Sequence, residues 1–378
     1  MENTTPLFSP LYQWHVDAGA KMADFGGWEM PIEYPRVMVG EQAGGVLAEH
    51  AAVREAVGIF DVSHLGKISI KGAGAVDFLN GIVTNDLSKI SSGSSQYNLL
   101  CNEKGGVIDD LIVYRKADDD LFLIPNAANC SDVYAVIAEA APAGIEVKNI
   151  HQEYGVLALQ GPRAADVVKA LGLSLNLDYT EFTEATIPGH EYLGVVIICR
   201  TGYTGEFGYE LVPQWSSTLA LWKLLNEKSI AIGGRVCGLG ARDTLRTEMA
   251  YPLHGHELSL SITPLEASAS WAIALDKPAF HGQAALQAQK ATGLQRRLRG
   301  LKALDRGIPR AGMQVMNSSG QVVGEVTSGT FSPTLKNGIG LALLSMSVAV
   351  GDKLTIDVRG RISEVEVVKT PFVESHVR

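Results

Sequence analysis

A chain of 378 residues that is 46% hydrophobic and 19% charged, with 40 glycines, has the makeup of a globular protein rich in turns and the length for two or three domains. Its 32 Lys and Arg against 41 Asp and Glu leave a net charge of −9, which argues against a basic face for nucleic acid; the basic run "LQRRLRGLK" at 294–302 reads as solvated surface. No apolar run approaches the ~18 residues of a membrane helix. The opening "MENTTPLFSP" has neither a secretory apolar core nor the Arg-rich character of a transit peptide. Cys101, Cys130, Cys199 and Cys237 are widely spaced, so four inert thiols in a cytoplasmic, reducing setting are expected.

In chain order, "SPLYQWHVDAGA" reads as a helix bounded by Pro10 and Gly19, and "FGGWEMPIEYP" as a turn and an irregular strand. "VLAEHAAVREAVG" has helical apolar spacing and stops at a glycine. "IFDVSHLGKISIKG" behaves as a strand, with Lys67, Ser69 and Lys71 alternating against Ile68 and Ile70. A short helix "GAVDFLNGIV", a hairpin "YNLLCNEKGGVIDDLIVYRK" and a strand-then-helix "LFLIPNAANCSDVYAVIAEA" follow, which together predict a split βαβ module. From 153 onward strand and helix recur. They end in "VIICRTGYTGEFGYELVP", two strands around a glycine-rich turn, and the helix "LGARDTLRTEMA". Past a boundary near 290, six short β-like runs between turns predict a small barrel or sandwich. The fold class expected is α+β, largely antiparallel, with residues 1–285 as one region of two intertwined subdomains (one over 55–145) and an all-β domain at 290–378.

Several signatures can be set aside. "GAGAVDFL" holds only two glycines of a dinucleotide fingerprint, and no P-loop is present. His254 and His256, two apart, lack supporting ligands for a metal. Asp109 and Asp110 stand out inside an apolar strand, where successive side chains face opposite ways. An inward carboxylate must be hydrogen-bonded or matched to a ligand; otherwise both make local turn and salt-bridge contacts. Arg242 and Arg246 share a helix face, open to an anionic or amide group or to ion pairs with Asp243 and Glu248. Tyr97 and Trp271 are either core or platforms for a flat heterocycle.

These strings, with "KMADFGGWEMPIEYP", "LALQGPRA", "TPLEASASWAI" and "VGEVTSGTFSPTLKNGIGLALL", resemble in order and spacing the aminomethyltransferase (T-protein) family of the glycine cleavage system, over nearly the whole chain. The resemblance implies a three-domain cloverleaf with a ferredoxin-like subdomain, a C-terminal barrel and a tetrahydrofolate site near the central channel. It implies that Asp110, the second aspartate of the family's paired motif, is catalytic and contacts N10 of the folate. Tyr97, Asn126, Glu210, Arg242 and Trp271 would line the folate site. Glu210 suits the donor–donor edge of a pterin. The implied donor is an aminomethyl group on the lipoyl arm of the H-protein, and the implied products are ammonia and 5,10-methylenetetrahydrofolate. No metal, flavin, nucleic acid or membrane enters, and a monomer or weak dimer is expected. Three departures stand out: Leu65 replaces a common Met, "PFVESHVR" lacks a tyrosine some relatives have, and "PRVMVGEQAGG" at 35–45 looks long. Two alternatives on the same scaffold are a folate-dependent demethylase of a small methylated donor and a non-enzymatic folate-binding protein. The latter group carries a cysteine in the loop that reads "RTGYTGEFGYE" here.

Overall fold

The computed structural model describes residues 6–34, 44–358 and 360–378; most of the 35–45 stretch noted above lies outside them. Among the described residues the strands form four sheets. A three-stranded sheet joins Leu7–Phe8, Trp28–Glu33 and Lys21–Phe25. A six-stranded sheet runs Phe182–Thr186, Val195–Cys199, Gly208–Val212, Leu157–Gln160, Gly58–Asp61, Arg235–Cys237. Its central strands "GIFD", "LALQ" and "GYELV" are buried at every position. Alternate residues serve two cores: Ile59, Leu157, Leu159 and Leu211 pack with Trp222 on one face, Phe60, Ala158 and Val212 with Trp28 and Leu245 on the other. A strand covered on both faces shows no period-2 signal.

The five-stranded sheet runs Ser94–Cys101, Val107–Ala117, Asp120–Pro125, Ile68–Lys71, Glu146–Asn149, antiparallel throughout. The Ala75–Asn80 and Cys130–Ala140 helices pack on one face. The expected split βαβ arrangement is present, with Ser94–Cys101 added at the edge. "IFDVSHLGKISIKG" is not one strand: Gly58–Asp61 belongs to the six-stranded sheet and Ile68–Lys71 to the five-stranded one. The turn between them buries Lys67 completely, against the alternation. Its Nζ donates to the carbonyls of Ser63 at 2.7 Å and His151 at 3.2 Å. Desolvation holds that ammonium down at about 7.

The six C-terminal strands close into a barrel. The run "LQRRLRGLK" supplies its first strand, Arg296–Ala303, and Arg296 pairs with Glu266 at 2.9 Å. Barrel residues Leu298, Leu341 and Leu343 share a core cluster with Leu99, Cys101, Val107 and Phe280. A second tie is ionic. Buried Glu248 is met by Arg54 at 2.8 Å, His50 at 3.3 Å, and Ser332 and Thr334 of the barrel at 2.5 and 2.9 Å; Arg54 also reaches Glu206. The four cysteines are buried and free. Among the described residues no helix is long and apolar enough to cross a membrane.

Candidate functional site

The hairpin that carries the two aspartates is built by its turn. Asn102 Oδ1 accepts from the backbone N–H groups of Lys104 and Gly106 at 2.9 and 3.0 Å, and its Nδ2 donates to the Leu260 carbonyl at 3.0 Å. Gly106 is required by close approach, because a Cβ there would stand 1.9 Å from that same carbonyl oxygen. Val107 N–H then donates to Ser259 at 2.8 Å. The strand therefore starts at a fixed point, and alternation does the rest. Asp109 faces inward with Leu111 and Val113 and is fully buried. Asp110 lies on the opposite face with Ile112 and Tyr114, toward the six-stranded sheet.

Neither carboxylate makes an ion pair among the described residues; both are held by neutral donors. Asp109 accepts from Asn126 N–H and Nδ2, each at 2.8 Å, and from Asn129 Nδ2 at 2.7 Å. Asp110 accepts from Asn126 Nδ2 at 2.8 Å and from the Tyr97 hydroxyl at 3.0 Å. Tyr97 sits on the adjacent strand opposite Ile112, one diagonal step from Asp110, which is why an aromatic of its length reaches. Burial raises the proton affinity of both aspartates, and the Asp110 charge adds to it at Asp109, which stands at about 7. Burial and the Asp110 charge also lift Tyr97 well above the usual phenol range, so it remains an O–H donor.

The facing wall comes from "RTGYTGEFGYELV". A Cβ on Gly202 would meet Gln160 Oε1 at 2.0 Å, so any larger residue would have to push the Gln160 amide off its bonds to Thr201, Tyr209 and Thr204. Glu210 is 8% exposed, and its Oε2 accepts from Thr201 at 2.5 Å. The Tyr203 hydroxyl donates to the Pro252 carbonyl, and the Arg242 guanidinium lies over the Tyr203 ring at 4.4 Å. The two helix arginines have separate lives. Arg246 takes Asp243 at 2.7 Å and Glu257 at 3.1 Å, whereas Arg242 makes no ion pair among the described residues. Burial pulls its proton affinity down, opposed by Tyr203 and Glu210.

Trp271 sits on a one-turn segment, Ser270–Ala272, stacked on Tyr97 with centroids 5.1 Å apart and planes 28° apart, yet 68% exposed. Of the six residues singled out, Asp110, Tyr97, Asn126 and Trp271 thus form one contiguous wall. Glu210 and Arg242 lie on another. Tyr203 links the two, under Arg242 and within reach of the Asp110 charge. Asn126 proves to be a clamp between the two carboxylates, its Nδ2 already engaged by both. Tyr203, Thr201 and Asn129 were not legible as site residues, although Tyr203 is the aromatic within the glycine-rich turn. His254 and His256 each bond to a backbone carbonyl, of Val107 and Thr327, and no group of three or more His, Cys, Asp or Glu among the described residues could hold a metal. What the walls offer is an anchored carboxylate, a second acceptor, a guanidinium and aromatic faces: a set suited to orient an N–H-rich heterocycle and to stabilise positive charge beside Asp110.

An α+β body with this cleft and a closed C-terminal barrel is the two-part class in which a GCVT N-terminal domain, matched over residues 11–277, precedes a glycine cleavage T-protein C-terminal barrel domain, matched over 296–374. The chain is 55% identical over 371 residues to an aminomethyltransferase of Parafrankia sp. (strain EAN1pec) and 50% identical over 375 residues to that of Mycobacterium tuberculosis (strain ATCC 25618 / H37Rv), covering 98% of each chain in both cases. It is similar throughout to the crystal structure of glycine cleavage system aminomethyltransferase T from Bartonella henselae, with a TM-score of 0.88, 33% identity and 98% of each chain covered. The chain belongs to the glycine cleavage T-protein family.

Proposed function

We propose that the protein is the aminomethyltransferase of a glycine cleavage system. It transfers the methylene of an aminomethyl group on the lipoyl arm of an H-protein to tetrahydrofolate, releasing ammonia and 5,10-methylenetetrahydrofolate. The observation that carries this reading is Asp110, a half-buried carboxylate without an ion-pair partner among the described residues, held by Tyr97 and Asn126 on the face that looks toward Glu210 and Arg242.

Tetrahydrofolate supplies the nucleophilic nitrogens, and the side chains fit it. Glu210 keeps an oxygen beyond its bond to Thr201 for the 2-amino and N3–H edge of a pterin. Arg242, with no carboxylate partner among the described residues, offers donors to carbonyl or anionic groups. The open face of Trp271 suits an aryl ring. Asp110 is placed to accept the N10–H and to stabilise positive charge as the methylene moves. General acid–base help of this kind is worth ~100- to 10,000-fold. Holding two large reactants together supplies a further share.

The test is a coupled assay of ammonia and 5,10-methylenetetrahydrofolate with aminomethylated H-protein, running Asp110→Asn beside wild type. The expected result is a fall of about 100-fold or more in turnover with folate binding kept. Folate binding without ammonia release from wild type would move the reading to a small methylated donor.

A further inference from the structure

Arg200 is 3% exposed and makes no ion pair among the described residues. A guanidinium so placed is tolerable only if its donors are spent on other groups, and they go to two carbonyls. Nη1 donates to Gly208 at 3.1 Å and Nη2 to Val377 at 2.6 Å, while the centroid of the Phe207 ring lies 3.5 Å from Cζ. The main chain of Arg200 is fixed too. Its N–H donates to the Glu181 carbonyl at 2.7 Å, and its own carbonyl accepts from Thr180 N–H at 3.0 Å.

Arg200 and Gly208 are the two ends of the turn that carries Tyr203, so Nη1 closes that turn at its base. Nη2 reaches a different part of the chain. Val377 lies on the segment that follows the barrel strand Arg361–Val368. That segment is first tied to the helix bearing Arg242, where Phe372 N–H donates to the Glu248 carbonyl at 2.8 Å. It then runs along the turn: His376 N–H donates to the Gly205 carbonyl at 2.7 Å, and the His376 ring stands 3.2 Å from Glu206. The same turn holds the groups of the cleft wall. Thr201 donates to Glu210 at 2.5 Å, Thr204 to Gln160 at 2.9 Å, and Tyr203 lies under Arg242. No hydrogen bond joins Arg200 itself to Glu210, Tyr203 or Arg242 among the described residues.

We propose that Arg200 is a positioning residue for the transfer reaction. It pins the base of the 200–208 turn and the 372–378 segment into one unit. That unit fixes Glu210 through Thr201, and the Arg242 guanidinium through Tyr203, in the places where tetrahydrofolate meets them. The inference rests on the folate reading above. Arginine suits the task because its planar fork serves two carbonyls at once and stacks on a ring, which a lysine ammonium does not do.

The experiment measures kcat and KM for tetrahydrofolate in the coupled assay, together with amide hydrogen exchange over 201–209. It compares wild type, Arg200→Met and a chain ended after Glu374. Misplacing groups that hold the ligand equally in ground and transition states raises KM and spares kcat. Arg200→Met should therefore raise KM about tenfold, with kcat at saturating folate within about twofold of wild type. The shortened chain keeps Arg200 and the bonds of Thr201 and Thr204, and loses only the contacts of His376 and Val377. It should raise KM about threefold and speed exchange over 201–209. The two changes combined should raise KM by less than the product of the separate effects, because the segment acts partly through Arg200. A wild-type KM in either folded variant overturns the proposal. So does a lower melting temperature and lower kcat with KM unchanged, which would make Arg200 a stabilising residue only. If Arg200→Met does not fold, the shortened chain decides alone. Failure of wild type to bind tetrahydrofolate would instead remove the folate reading itself.

Discussion

Two adjacent aspartates of one strand differ in what surrounds them. Asp109 takes three N–H donors and faces only protein; Asp110 takes two donors and faces the cleft. Asp109→Asn would bring an amide NH2 against the donors of Asn126 and Asn129, and each buried donor left unmet costs about 1–3 kcal/mol. A clear drop in melting temperature is expected for Asp109→Asn and a much smaller one for Asp110→Asn, read by thermal denaturation of both. Their pH behaviour has a definite sign. Burial, joined at Asp109 by the Asp110 charge, raises both, with Asp109 at about 7. If the proposed role of Asp110 holds, kcat/KM should fall on acidification while still near neutrality, not near the ordinary carboxylate value of about 4. For stability, a raised carboxylate binds its proton more tightly folded than unfolded. Its contribution is therefore full below about 4 and is lost as pH rises toward 7. Melting temperature across that window should decline less steeply in Asp110→Asn than in wild type.

Elements with one apolar face declared themselves. The hairpin strand at 107–117 and the barrel strands at 353–358 and 361–368 alternate between a buried and a less buried face. The division of 59–72 between two sheets did not, because Gly58–Asp61 is covered on both sides and leaves no period to read. Lys67 gave no sign of burial, since the carbonyls that hold it belong to Ser63 and to His151 on a distant segment. Among site residues, the polar turn and the aspartate pair were visible locally. Tyr203 was visible only as a turn residue, because its role depends on Arg242 being folded onto it. The turn before the aspartates gives a prediction of its own. Gly106→Ala drives a methyl into the Leu260 carbonyl, and overpacking of this kind costs about 1–3 kcal/mol or more. The midpoint of urea denaturation should shift down accordingly, with the pairing of the hairpin weakened at its closed end.

Across the whole molecule, the barrel and the body share both an apolar cluster and the ionic cluster at Glu248. Burial alone would raise Glu248, but His50, Ser332 and Arg54 outweigh it and hold the carboxyl at about 2, below its ordinary 4.5. A depressed carboxylate contributes stability above the unfolded value and loses it as pH falls through the folded one, so acid unfolding should draw on this group between about pH 4.5 and 2. Glu248→Gln leaves Arg54 in buried surroundings with one carboxylate fewer. Breaking such a pair typically costs about 3–5 kcal/mol. Because that loss falls on both parts at once, calorimetry should record one cooperative endotherm for wild type and two separated transitions for Glu248→Gln. A single transition at lower temperature in the variant would mean that the shared apolar cluster suffices to couple them.

The turn at Asn102–Gly106 also decides which aspartate faces the cleft. On a pleated strand, facing is a matter of odd and even positions. A one-residue insertion between Gly106 and Asp109 would move each later residue one place along the pleat: Ile108 would stand against Asn126 and Asn129, Asp109 would face the cleft, and Asp110 would turn into the core at the place of Leu111. The composition of the chain would change by one residue, yet one carboxylate would lose its donors and the other its place on the cleft face. The carboxylate on the cleft face is thus specified by counting from a docked glycine, and the Asn102 cap guards that count.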